Sequence, residues 1–287
     1  MCDDDIHPGL IVDPSVSRRT FGLAGLAAAG FSGAACAAAP VVEADVEAAT
    51  PDGTADAVLF HPEGPGAWPA VLIWPDVVGL RQVFREMGRR LAGEGYVVLV
   101  PNPYYRVARA PVVGPTFNFA NPDDRARLTP MRASLTPEAV DRDSAAYVAF
   151  LDARPQTDKG RKAGVQGYCM GGALSFRTAA AAPGRIGAVA SFHGAGLATD
   201  APTSPHRLAA RTSAEYLVLI ADNDDQQDPG AKDRLKAAFD AAGLASRVEV
   251  YKGARHGWCV RGSQVYDEAA AERAWAELLA LYRRALA

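Results

Sequence analysis

Short apolar runs alternate with helical patterns along most of this chain, and that alternation restricts the fold more than any other feature. Ala70-Val71-Leu72-Ile73-Trp74 is continuously apolar and bounded by Pro69 and Pro75, so it reads as a strand buried on both faces. Arg81 to Glu94 has helical periodicity, with Val83, Phe84, Met87 and Leu91 on one face, and Gly95 ends it. Strands follow at Tyr96–Val100, Ala163–Gln166, Ile186–Phe192, Tyr216–Ala221 and Arg247–Tyr251. Between and after them lie helical patterns at Glu138–Leu151, Gly171–Ala182, a segment opened by Pro229 that runs to about Gly243, and Asp267–Leu286. Proline suits the first turn of a helix because its missing N–H has no helical partner there. Pro101–Pro130, rich in Pro, Asn and Asp, reads as a long surface loop. The pattern predicts an α/β fold with a mostly parallel sheet covered by helices on both faces. Ligands in such sheets bind at the carboxyl ends of the strands.

The N-terminal segment is excluded from that reading. Ser17-Arg18-Arg19-Thr20-Phe21-Gly22-Leu23 matches a twin-arginine export pattern, and small apolar residues follow to Ala39. Residues 1–40 are therefore expected to be a signal for export to the periplasm, with 41–287 a single domain. A single uncleaved span, or a lipoprotein signal acylated at Cys36, are the other readings of the segment. The 287 residues carry a net charge of −3 and no Lys/Arg-rich run, so neither nucleic acid nor a membrane surface is an expected partner after export. Cys2, Cys36, Cys169 and Cys259 have no paired metal-ligand spacing.

The most informative segment is Gly164-Val165-Gln166-Gly167-Tyr168-Cys169-Met170-Gly171-Gly172, which runs strand, sharp turn, helix. A side chain on such a turn is exposed above the sheet, and small residues two positions either side let strand and helix approach closely. The helix N-terminus directs positive potential at the Cys169 sulfur. The Met170 N–H is expected to be one donor of an oxyanion hole. A Gly-x-Cys-x-Gly turn of this kind is the α/β-hydrolase nucleophile pattern with Cys in place of Ser, and the triad order is then nucleophile, acid, base. His256, in Gly253-Ala254-Arg255-His256-Gly257-Trp258 after the last strand, is placed as the base. Asp222-Asn223-Asp224-Asp225 follows the penultimate strand. Asp224 is the expected acid, with Asp225 beside it as the alternative. His193 closes a strand and is placed to line the pocket.

With Gly167-Tyr168-Cys169-Met170-Gly171-Gly172, the acid near Asp224 and Ala254-Arg255-His256-Gly257 in place, the chain resembles the dienelactone hydrolase family (carboxymethylenebutenolidases) from about Asp45 to the C-terminus. The resemblance implies a single α/β-hydrolase domain, a Cys-His-Asp triad, no cofactor and no metal. It implies a small-molecule lactone or activated ester as substrate, which can carry a carboxylate. Asp76, in Pro75-Asp76-Val77-Val78-Gly79, matches the position where the family usually has a Glu that contacts the nucleophile thiol. The Val77 N–H is then the second oxyanion donor. Arg106, in Pro101-Asn102-Pro103-Tyr104-Tyr105-Arg106, matches a segment carrying a substrate-carboxylate arginine, a pairing that suits arginine's fork. A second family arginine, four residues after the histidine, is replaced here by Val260, with Arg261 one place on. Cys259, three residues from His256, raises the expectation of a silencing disulfide with Cys169 in an oxidising compartment. A redox-responsive thiol protein and a non-catalytic binding protein on the same scaffold are the alternative functions.

Overall fold

The computed structural model describes residues 40–287, so the expected export signal lies outside the described residues. Eight strands form one sheet: β1 (Val41–Thr50), β2 (Gly53–Pro62), β3 (Ala70–Trp74), β4 (Val97–Pro101), β5 (Ala163–Tyr168), β6 (Ile186–Phe192), β7 (Glu215–Ala221) and β8 (Ser246–Tyr251). Their order is β1-β2-β4-β3-β5-β6-β7-β8. β1 and β2 pair antiparallel, as do β2 and β4, and every later pairing is parallel. β3, β4 and β5 are buried at every position, as strands covered on both faces must be.

The helices are α1 (Gln82–Gly93), α2 (Pro122–Ala126), α3 (Thr129–Ala133), α4 (Pro137–Asp152), α5 (Met170–Ala181), α6 (Asp222–Gln227), α7 (Ala231–Ala241) and α8 (Glu268–Ala285). α1 and α8 cover one face, where Phe84, Leu91, Leu278 and Tyr282 pack on Val98, Val100 and Leu219. α4, α5 and α7 cover the other, where Tyr147, Phe176 and Phe239 pack on Trp74, Val165 and Val218. Each fully buried Leu or Phe in these layers contributes ~1.5–3 kcal/mol. Among the described residues, no helix is long and apolar enough to cross a membrane.

Three expectations are revised. The β1–β2 hairpin was not anticipated, because β1 interleaves acids (half-buried Glu43, exposed Asp45 and Glu47) with small and apolar residues instead of forming an apolar run. Pro229 does not open a helix, for α7 starts at Ala231 with Gly230 as its cap. The 101–130 segment is not a plain surface loop. It carries α2 and part of α3, and it buries Phe117, Phe119 and Leu128 with Met131 against Val77, Val78 and Tyr104, with Met170 packed alongside. That apolar cluster packs on the residues that follow β3 and β4 and beside Met170, next to Cys169.

Candidate active site

Cys169 stands between β5 and α5 with φ +53° and ψ −118°, a strained backbone for a residue with a Cβ. The close approach expected around it is severe. A Cβ at Gly167 would lie 1.9 Å from the Gly171 carbonyl oxygen, and one at Gly171 would lie 2.4 Å from the Trp74 carbonyl oxygen. The turn is pinned by hydrogen bonds from the Cys169 N–H to the Phe192 carbonyl (3.0 Å) and from the Ser175 hydroxyl to the Gly171 carbonyl (3.0 Å). Cys169 is 4 % exposed.

The other expected residues arrive from neighbouring strand ends. Asp224 is in α6, directly after β7, and His256 follows β8. His256 Nδ1 and Asp224 Oδ2 are 2.7 Å apart. Asp225 instead accepts from Lys232 Nζ (2.5 Å), which separates the two acids that the sequence left open. Asn223 completes the arrangement and was not anticipated. Its side-chain oxygen accepts the His256 backbone N–H at 2.7 Å, and its amide nitrogen donates to Asp224 Oδ1 at 3.3 Å. One amide thereby holds both partners of the pair. His256 Nε2 is buried without a partner in hydrogen-bonding geometry. Burial pulls the His256 pKa down, yet the charge of the nearby Cys169 sulfur and the hydrogen bond to Asp224 outweigh it and raise the pKa well above its ordinary value. An imidazolium is favoured here when the neighbouring sulfur is anionic.

Met170 opens α5 beside Cys169, and Val77 follows β3. A single phenol ties them together: the Tyr104 hydroxyl donates to the Val77 carbonyl (2.7 Å) and lies 3.4 Å from Met170 Sδ. Tyr104 is fully buried. The Tyr-Tyr pair after β4 is visible in the sequence, but which ring turns inward is not.

Two residues expected to face the substrate have partners within the fold. Asp76 is fully buried, and Arg81 binds both of its carboxylate oxygens (2.7 and 2.8 Å) while Oδ1 also accepts the Val78 N–H (3.0 Å). A buried carboxylate needs such a counter-charge, and it ties Asp76 to the 76–81 turn. Arg106 is likewise committed. It donates to Asp143 (2.7 and 2.8 Å) and Asp52 (2.6 Å) and lies over the Tyr105 ring, so it joins α4 to the β1–β2 turn. Arg261 lies over Tyr266 at a cavity of about 300 Å³ between α1 and α8. Cys259 lines the same cavity with Tyr168 and Phe192, and Cys169 and Cys259 are both free thiols. Among the described residues no cluster of three or more His, Cys, Asp or Glu could hold a metal ion.

The sequence model of the dienelactone hydrolase family matches residues 55–286. The chain belongs to the dienelactone hydrolase family. It is 27 % identical over 295 residues to a protein of Methylorubrum extorquens named "putative carboxymethylenebutenolidase", an alignment covering 98 % of this chain and 97 % of that protein. A Salmonella typhi protein of the same name is 26 % identical over 220 residues, covering 75 % and 76 %. A solved structure from Klebsiella pneumoniae, titled a "putative dienelactone hydrolase", superposes with a TM-score of 0.74 at 21 % identity, over 85 % of this chain and 99 % of that one. An Anabaena variabilis dienelactone hydrolase superposes with a TM-score of 0.61 at 16 % identity, over 86 % and 99 %. The mostly parallel sheet with helices on both faces is thus the α/β-hydrolase fold of a dienelactone hydrolase-like hydrolase.

Proposed function

We propose that this hydrolase opens a lactone or activated ester through an acyl-cysteine intermediate, with Cys169 as nucleophile, His256 as base and Asp224 as the acid that orients it. The observation that carries this reading is the Cys169 turn, strained at φ +53°, beside a histidine whose Nδ1 is engaged by Asp224 and whose Nε2 is left without a partner. Strain of this kind persists where the surrounding structure over-determines it, and it clusters at functional sites.

The thiol proton passes to His256 Nε2, and the sulfur attacks the carbonyl carbon. The N–H groups of Met170 and Val77 receive the oxyanion, each such donor being worth ~3 kcal/mol in comparable sites. His256 gives its proton to the leaving alkoxide, and water then resolves the thioester with His256 as base. Asp76, neutralised by Arg81, takes no part in the proton transfers. With Arg106 tied to Asp52 and Asp143, substrate selection falls to the apolar cap of Phe117, Phe119 and Met131. This favours small lactones and activated esters without an obligatory carboxylate. The twin-arginine-type sequence Ser17-Arg18-Arg19-Thr20-Phe21-Gly22-Leu23 supports export of this activity to the periplasm.

The test is pre-steady-state release of p-nitrophenol from p-nitrophenyl acetate, followed by a lactone panel. A burst equal to the enzyme concentration, followed by slower turnover, is expected. Rapid alkylation of Cys169 by iodoacetamide with no turnover of any ester or lactone would favour a redox-responsive thiol instead.

A further inference from the structure

Among the described residues two that are not glycine have positive φ: Cys169 at +53° and His193 at +41°. The first belongs to the nucleophile turn, but nothing in the steps above uses the second. His193 follows β6, and its N–H donates to the Leu219 carbonyl at 2.8 Å, so β7 fixes the strained backbone. Its side chain is fully buried. Neither ring nitrogen has a partner in hydrogen-bonding geometry, and only the residue's own carbonyl comes near one of them. Polar groups buried in this way are ordinarily satisfied, and leaving one unpaired is costly.

The surroundings point to what the nitrogens serve. The His193 and His256 rings meet edge to face, with centroids 4.8 Å apart, and Trp258 packs edge to face on His193 at 5.2 Å. His256 Nε2, on the ring that Cys169 acts on, is buried and like the His193 nitrogens has no partner in hydrogen-bonding geometry. Burial, and then the charge that His256 acquires, hold the His193 pKa well below that of an ordinary histidine. His193 is therefore the neutral imidazole of the pair, with one nitrogen as donor and one as acceptor.

We infer that His193 holds the hydrolytic water beside His256 during deacylation. The inference rests on the acyl-cysteine reading. In the acyl-enzyme, the water oxygen forms a bond to the acyl carbon as one water proton passes to His256 Nε2. The other proton stays on the new hydroxyl and is held by the unprotonated nitrogen of His193. Collapse breaks the carbon–sulfur bond and returns its electron pair to Cys169, and the carboxylic acid leaves with the second proton. His193 neither gains nor loses a proton. It orients the water, a role that applies to the second half-reaction and not to the first.

The experiment compares the full-length wild type with His193→Phe and His193→Asn on p-nitrophenyl acetate. Stopped flow gives the burst rate, and quenched intact-protein mass gives the fraction of acylated Cys169. The phenylalanine keeps the ring shape without nitrogens, and the asparagine tolerates positive φ should the phenylalanine chain fail to fold. The expected result is a burst rate within about twofold of wild type, deacylation slowed about tenfold or more, and accumulation of acyl-Cys169. Equal slowing of burst and turnover would assign His193 to packing and overturn the inference, as would unchanged deacylation. Absence of acyl-Cys169 in the wild type is a different failure, since it removes the acyl-cysteine reading itself.

Discussion

Cys169→Ala will release no burst of product, and its kcat/KM on activated esters will fall at least about 10⁴-fold below wild type. The sulfur is the one group at the strand-to-helix turn able to form the covalent intermediate, and alanine fits the same backbone with a smaller side chain. The fold should survive, with an unchanged circular dichroism spectrum. His256→Ala and Asp224→Asn are expected to cost about 10³–10⁴-fold each on the same assay. In the latter the amide can still contact His256 Nδ1, now 2.7 Å from the carboxylate, but it cannot stabilise the imidazolium. Because the proposed triad acts as one unit, the double variant Asp224→Asn/His256→Ala should be little worse than His256→Ala alone. Additive losses would mean that Asp224 acts on something other than His256.

The second large effect is on folding. Gly167→Ala would put a Cβ 1.9 Å from the Gly171 carbonyl oxygen and 2.1 Å from its carbon. Both atoms belong to the backbone of α5, whose N-terminus is itself pressed against the Trp74 carbonyl through Gly171. Neither neighbour can rotate away, so α5 must move off β5. The expected cost exceeds ~4 kcal/mol, which in a domain of this size lowers Tm by roughly 10 °C or more or prevents recovery of folded protein. Gly184→Ala is the control, since a Cβ there meets nothing within 4 Å. It should leave Tm within about 2 °C, the range of ordinary surface substitutions. A Gly167→Ala protein as stable as wild type would show that the turn is looser than the geometry states.

The parts of this molecule that could be read from sequence are those fixed by local pattern. β3 and β4 are continuous apolar runs because both of their faces are covered, and α1 and α8 show one apolar stripe each. The Cys169 turn was legible because its glycines are required within two residues of it. The β1–β2 hairpin was harder, since an edge strand with one wet face carries Glu43, Asp45 and Glu47. Pro51-Asp52 between the strands, followed by Gly53 at φ +138° as the first residue of β2, is the turn signal that could have found it.

Charged site residues were legible only as far as their partners were. Asp76 and Arg106 look like substrate groups when taken alone. What decides otherwise is Arg81, five residues from Asp76, and Asp52 and Asp143, 54 and 37 residues from Arg106. Asp224 and Asp225 are equivalent in sequence, and the first turn of α6 sends one to His256 and the other to Lys232. Asn223 and His193 matter through contacts with His256, 33 and 63 positions away, that only the folded sheet creates.

The acyl-cysteine intermediate is tested most directly by the intact mass of enzyme quenched in acid during turnover of p-nitrophenyl acetate, followed by peptide mapping. A single acetyl adduct is expected, carried by the peptide containing Cys169 and absent from Cys169→Ala. An adduct on any other residue, or undiminished turnover by Cys169→Ala, would contradict it.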